Sequence, residues 1–135
     1  REIYERPAVR TVAQFVGHAN FIEGRLDGGV NGMHSCTLVA GDWRLEGRAG
    51  CDIPPGAAVV GVIRYEKLSI GDDQGLQASV VEATYLGATV RVTLRLASGR
   101  SLIAELPSTE ANASLSPGTA VRVSWAPHNL VVLPA

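Results

Sequence analysis

The residues of this chain with chemistry to offer are three histidines, two cysteines, thirteen carboxylates and two tryptophans. His18, His34 and His128 lie far apart and show no ligand spacing, so each is read as a loop or surface residue rather than a metal ligand. Cys36 and Cys51 form no CxxC pair. One disulfide is possible by arithmetic, but two separated thiols in an apolar chain are read as reduced core residues. Asp72-Asp73 reads as a solvated loop tip, because two carboxylates supply too few oxygens for a calcium-like cation. Trp43 and Trp125 offer flat stacking surfaces, yet each sits on an alternating stretch and is read as a core or interface anchor. No GxxxxGK[ST], GxSxG, HExxH or paired CxxC occurs. Without the first of these there is no cradle for nucleotide phosphates. On these grounds no catalytic, cofactor-binding or metal-binding residue is assigned, and this stretch of chain is not read as an enzyme.

Composition narrows the classes further. A chain of 135 residues can bury a core without staples. Its formal net charge of -1 gives no electrostatic reason to expect nucleic acid or an anionic membrane surface. No apolar run approaches the roughly 20 residues that a membrane helix needs. No signal peptide opens the chain, and the missing initiator Met is expected of a fragment or processed product of a cytoplasmic protein.

The elements that would position these residues are mostly strands. In Thr89-Val90-Arg91-Val92-Thr93-Leu94-Arg95-Leu96 the apolar residues alternate strictly with Arg and Thr, the period of a strand with one buried and one wet face. Residues 76–86 form a long strand whose register shifts at Val80-Val81, which predicts a bulge. Ala97-Ser98-Gly99-Arg100 turns into Leu102, Ala104 and Leu106. Residues 107–115 are looser, with room for one helical turn, and Ser116-Pro117-Gly118 is a turn. Val121, Val123 and Trp125 alternate, and a closing strand follows at 130–133. About five strands after Gly75 suit an OB-like barrel.

Before that boundary, residues 20–26, 33–39 and 43–47 read as strands, the last two as a hairpin. Residues 57–63 are a continuous β-branched run, expected of a strand buried on both faces. Residues 65–70 continue as a short strand or turn. At the start, Pro7, Val9, Val12, Ala13 and Val16 are spaced for a short amphipathic helix over 7–16. The expected fold is all-β: an OB-like barrel with a second, interleaved β lobe and a short N-terminal helix. The lobes are expected at roughly 20–70 and 75–135, after a linker and helix over 1–19.

A family shows through in ordered pieces. Tyr4-Glu5-Arg6-Pro7-Ala8, Val12-Ala13-Gln14-Phe15-Val16-Gly17, then Asn20-Phe21 and Gly24 resemble the segment that follows the nucleotide-binding domain in ATPase subunits of bacterial ABC importers of the polyamine, ferric-iron and maltose type. Arg64-Tyr65-Glu66-Lys67-Leu68 resembles the family's Arg-Pro-Glu segment, with Tyr65 in place of proline. Glu82-Ala83-Thr84-Tyr85-Leu86-Gly87, Leu96-Ala97-Ser98-Gly99, Leu115-Ser116-Pro117-Gly118 and Val121 to Trp125 resemble its later strands and turns. The span from Val30 to Pro55 matches no motif of the family.

The resemblance implies a transport-associated OB (TOBE) regulatory region, with 20–135 as that domain and 1–19 as the link from an ATPase domain. It implies no catalysis by this stretch, ATP and Mg in the ATPase domain alone, and a parent at the inner face of the cell membrane. It implies a homodimer with two-fold symmetry, contact with the parent's own ATPase domain, and permease subunits as membrane partners. Neither nucleic acid nor direct membrane insertion is expected. The motif residues taken as structural or interface positions are Asn20, Gly24, Arg64, Glu66, Tyr85, Gly87, Pro117, Gly118 and Trp125. Arg64, Glu66 and the faces near Trp125 are the candidates for the dimer contact, although Arg64 and Glu66 have the simpler option of pairing with each other. A second function comes from residues 17–26, which resemble distantly the Ser-Ala-Arg-Asn-x-x-x-Gly motif of small molybdate-binding OB domains. Gly17 or His18 and Ala19 stand where that motif has Ser and Arg, and backbone amides would have to supply the lost donors.

Overall fold

A computed structural model describes residues 18–28, 33–41, 43–50, 52–71 and 74–135. The helix expected over 7–16, the 1–17 part of the linker, Cys51 and Asp72-Asp73 lie outside the described residues. Ten strands follow in order: β1 (Ala19–Asp27), β2 (Met33–Ala40), β3 (Trp43–Gly50), β4 (Ala58–Arg64), β5 (Ser69–Ile70), β6 (Leu76–Tyr85), β7 (Thr89–Leu96), β8 (Ser101–Pro107), β9 (Ala120–Ser124) and β10 (Val131–Pro134). One short helix, α1 (Glu110–Ala113), and two 3-10 turns at Tyr65–Lys67 and Pro127–Asn129 complete them. The chain divides into two compact units, one running up to Ile63 and resuming at Ala126–Ala135, the other Arg64–Trp125.

The first unit is a closed barrel in the order β1-β2-β3-β10-β4. Closure leaves no strand edge open to other chains. The pairing register places Ile22, Leu26, Leu38, Leu45, Leu130 and Val132 on one face, all of them buried. Five strands enclose little space, so large side chains on that face need small neighbours. Gly24, Gly47 and Gly61 supply them. A Cβ at Gly24 would fall on the Val39 carbonyl oxygen and one at Gly61 would stand 3.0 Å from both Leu38 Cδ1 and Leu130 Cδ1. β4 is buried along its whole middle, as its β-branched run predicts: Val60 and Val62 face the other way and pack against Ala19 and Leu133.

The second unit is an antiparallel sheet of five strands, β5-β9-β6-β7-β8. One face carries Val80, Val92, Leu94, Leu102, Ala104 and Val123, all buried. The other carries Gln77, Ser79, Arg91, Arg95, Glu105 and Arg122. The register of β6 against β7 slips between Val80 and Glu82, the bulge expected at Val80-Val81. Thr109 caps α1 by accepting from the Asn112 N–H at 3.1 Å.

The barrel's place corrects the sequence reading. The barrel was expected from the five strands after Gly75, but four of its strands precede Gly75 and the fifth is β10. The last strand leaves the C-terminal sheet and inserts between β3, which it meets in parallel, and β4, which it meets antiparallel. The two lobes are interleaved in this way. The 3-10 turn at Pro127–Asn129 redirects the chain for it, and the Leu130 carbonyl then accepts from the Arg48 N–H at 2.9 Å.

Candidate functional site

The motif residues divide between the two units. In the barrel, Asn20 sits on the inward row of β1 and is buried; its side-chain amide donates to the Ile63 carbonyl at 3.4 Å. Gly24 lies two turns of the pleat further along the same row. Asn20 ties β1 to β4, and Gly24 lets β2 approach. Ala19, in the position of a molybdate-motif donor, has no side-chain donor and is itself buried. His18 is exposed.

In the second unit, Arg64 Nε donates to Glu66 Oε2 at 3.1 Å, and both side chains are about half exposed, at 56% and 48%. They take the simpler option and pair with each other. An ion pair this wet contributes about 0–1 kcal/mol. Tyr65, where the family has proline, stands under the Arg91 guanidinium, with Cζ 5.4 Å from the ring centroid. Arg91 also donates through Nε and Nη2 to Glu105 Oε1, at 3.1 and 2.7 Å. The aromatic ring and the carboxylate together hold Arg91 flat on the sheet.

Pro117 and Gly118 form the corner of a tight turn in which the Thr119 N–H donates to the Ser116 carbonyl at 3.1 Å. Gly118 has φ 92, the positive value that the third residue of a type II turn requires, and proline suits the second. The turn is tied to the bulge: Gly118 N–H donates to the Val80 carbonyl at 2.8 Å, and Val80 N–H donates to the Thr119 carbonyl at 2.9 Å. The Pro117-Gly118 turn, distant in sequence, thus meets the bulge where β6 bends. Gly87 (φ 93) turns the β6–β7 hairpin. Its tip exposes Tyr85 (67%) and Leu86 (47%), the exposed large hydrophobic residues among the described residues of this unit. Trp125 and Trp43 are both half-buried, at the end of β9 and the start of β3.

Among the described residues no three of His, Cys, Asp and Glu gather to hold a metal ion. Cys36 is a free thiol on β2, and burial pushes its pKa up against a smaller opposing pull from a backbone hydrogen bond of Ala49.

A shallow groove of about 720 Å³ runs along the second sheet, bordered by Gln77 and Ser79 on β6, Arg95 on β7, and Val121 and Arg122 on β9. Sequence spacing reads Arg95 and Arg122 only as the wet faces of their strands. The signal lay in the strand order, which brings Arg95 and Arg122 to either side of β6.

A family model described as the TOBE domain matches residues 61–133. Among curated proteins, the chain is 37% identical over 135 residues to the spermidine/putrescine import ATP-binding protein PotA of Rubrobacter xylanophilus, covering 97% of this chain and 36% of that protein. It is 35% identical over 140 residues to the protein of the same description from Methylococcus capsulatus, covering 99% and 36%. The chain therefore spans about a third of the length of these relatives. Among solved structures, the cytoplasmic molybdate-binding protein ModG with molybdate bound has a TM-score of 0.75 and 15% identity, covering 90% of this chain and 99% of that one. At that identity the likeness shows the fold.

Proposed function

Because the chain belongs to the TOBE domain family, we propose that it is the C-terminal regulatory and dimerisation region of the ATP-binding subunit of a solute importer. The observation that carries this reading is the match of nearly the whole chain to import ATP-binding proteins about three times its length. The phosphate-binding loop that ATP hydrolysis requires is absent from this sequence. Chemistry, ATP and Mg therefore belong to an ATPase domain elsewhere in the parent, and this region works by contact. Two ATP sites that form only between paired subunits gain from a standing contact elsewhere, which keeps the local concentration of the partner high while the sites open and close. A two-fold arrangement gives both subunits the same contact.

The parent would sit at the cytoplasmic face of the membrane beside its permease subunits. No helix of the described residues is long and apolar enough to cross a membrane. The exposed Tyr85-Leu86 tip offers an apolar surface for the paired contact in the second unit. Sedimentation equilibrium of the chain tests this: the reading expects a species of twice 14.2 kDa, dissociated by Tyr85→Ala with Leu86→Ser. A monomer at every concentration, with the parent also monomeric, would contradict the dimerisation role.

A further inference from the structure

The groove on the wet face of the second sheet has no part in the reading above. Its volume of about 720 Å³ lies within the roughly 300–1,000 Å³ typical of small-molecule sites. Arg95 on β7 stands opposite Ser79 on β6, and Arg122 on β9 stands opposite Gln77, two residues along the same strand. Adjacent strands lie about 4.8 Å apart, so the two arginines stand on either side of β6. Arg122 donates through Nη1 to the Gly75 carbonyl at 2.9 Å, which steadies the side chain and leaves its other donors unused. The Arg95 side chain makes no hydrogen bond or ion pair with a described residue.

Among the described residues no carboxylate lines the groove. Of the acids on this face of the sheet, Glu105 is held by Arg91, and Glu82 stands opposite Thr93 beyond the bulge. Two cationic forks with no acid among the described lining residues make a site for an anion, and the planar fork matches carboxylate or phosphate oxygens two at a time. Ala97 adds apolar surface beside them.

We propose that this groove binds a small organic anion, its carboxylate or phosphate held between Arg95 and Arg122 with Ser79 and Gln77 as further polar contacts, and its apolar body against Ala97. The site belongs to the chain itself and stands whether or not the parent is an importer subunit.

The test is a titration of the 135-residue chain followed by backbone amide NMR, with phenyl phosphate, benzoate, inorganic phosphate and benzyl alcohol as probes. Saturable shifts at Ser79, Arg95 and Arg122 are expected with phenyl phosphate or benzoate, and the tighter of the two identifies the head group. Inorganic phosphate should bind more weakly, for want of an apolar body, and uncharged benzyl alcohol should give no saturable shift. Arg95→Gln and Arg122→Gln should each weaken the better probe roughly tenfold to hundredfold, the loss of a charge-assisted hydrogen bond. Arg48→Gln, on the barrel, should leave affinity unchanged. Absence of saturable shifts with both organic anions overturns the proposal. So does binding that survives both glutamine variants, or binding of benzyl alcohol equal to that of the anions.

Discussion

Leu130→Ala is the substitution that asks most of this structure. Leu130 is fully buried, and its neighbours on the inward face include two glycines: a Cβ at Gly61 would stand 3.0 Å from Leu130 Cδ1, and one at Gly47 would stand 3.2 Å from Leu130 Cδ2. Glycines have no side chain with which to fill a hole. The backbone around it is pinned by the bond from Arg48 N–H to the Leu130 carbonyl and by the pairing of Val132 with Gly61. Relaxation should therefore be small, and the cost should fall at about 3–4 kcal/mol within the usual 2–5 for buried Leu→Ala. For a domain of this size that is a fall in melting temperature of about 10–15 °C.

A second substitution changes sign with the first. Gly61→Ala alone crowds the tips of Leu38 and Leu130 and should cost about 1 kcal/mol. In the Leu130→Ala background the same methyl enters vacated space, and should restore about 1 kcal/mol from burial and from a stiffer unfolded chain. The coupling between the two sites is then about 1–3 kcal/mol. Urea unfolding of the four proteins, followed by circular dichroism and extrapolated linearly, measures it. A Leu130→Ala cost below about 1 kcal/mol, or the same Gly61→Ala effect in both backgrounds, would refute the claim that β10 fills the barrel.

Other outcomes follow from single residues. Gly118→Ala forces a side chain into positive φ and should cost about 1–3 kcal/mol, read as a shift in the urea midpoint. Arg91→Ala leaves Glu105 half-buried without its partner and Tyr65 without its cation; a loss of about 1 kcal/mol is expected in low salt, smaller in high salt. For Cys36, burial raises the thiol pKa above its ordinary 9.0. The fold thus favours the neutral thiol: its contribution is complete below the unfolded thiol's pKa and is lost as pH rises from there through the folded one. Iodoacetamide should alkylate Cys36 more slowly at pH 8 than a cysteine peptide, and Cys36→Ser should lessen the loss of stability in alkaline solution.

Local features were legible where one strand's own pattern decides them. The alternation of 89–96 reappears as alternating buried and part-exposed residues in β7, and the slip at Val80-Val81 as the bulge. β1 was harder to read because its inward row, Asn20, Ile22, Gly24 and Leu26, contains a polar residue and a glycine, which hide the period of 2. The outward Phe21, 43% exposed, hides it further. The destination of β10 was not legible at all: Val-Val-Leu suits either sheet, and its pairing with β3 and β4 joins residues about 70 or more apart in the chain. The groove was illegible for the same reason. Arg95 and Arg122 read as solvated strand residues until β6 is known to run between their strands.

The most direct test of the account is the reading frame upstream of the codon for Arg1. A TOBE region of an importer's ATP-binding subunit should follow, in frame, a domain carrying GxxxxGK[ST] and an ABC signature. A start codon immediately upstream, or an unrelated domain there, would contradict the importer assignment.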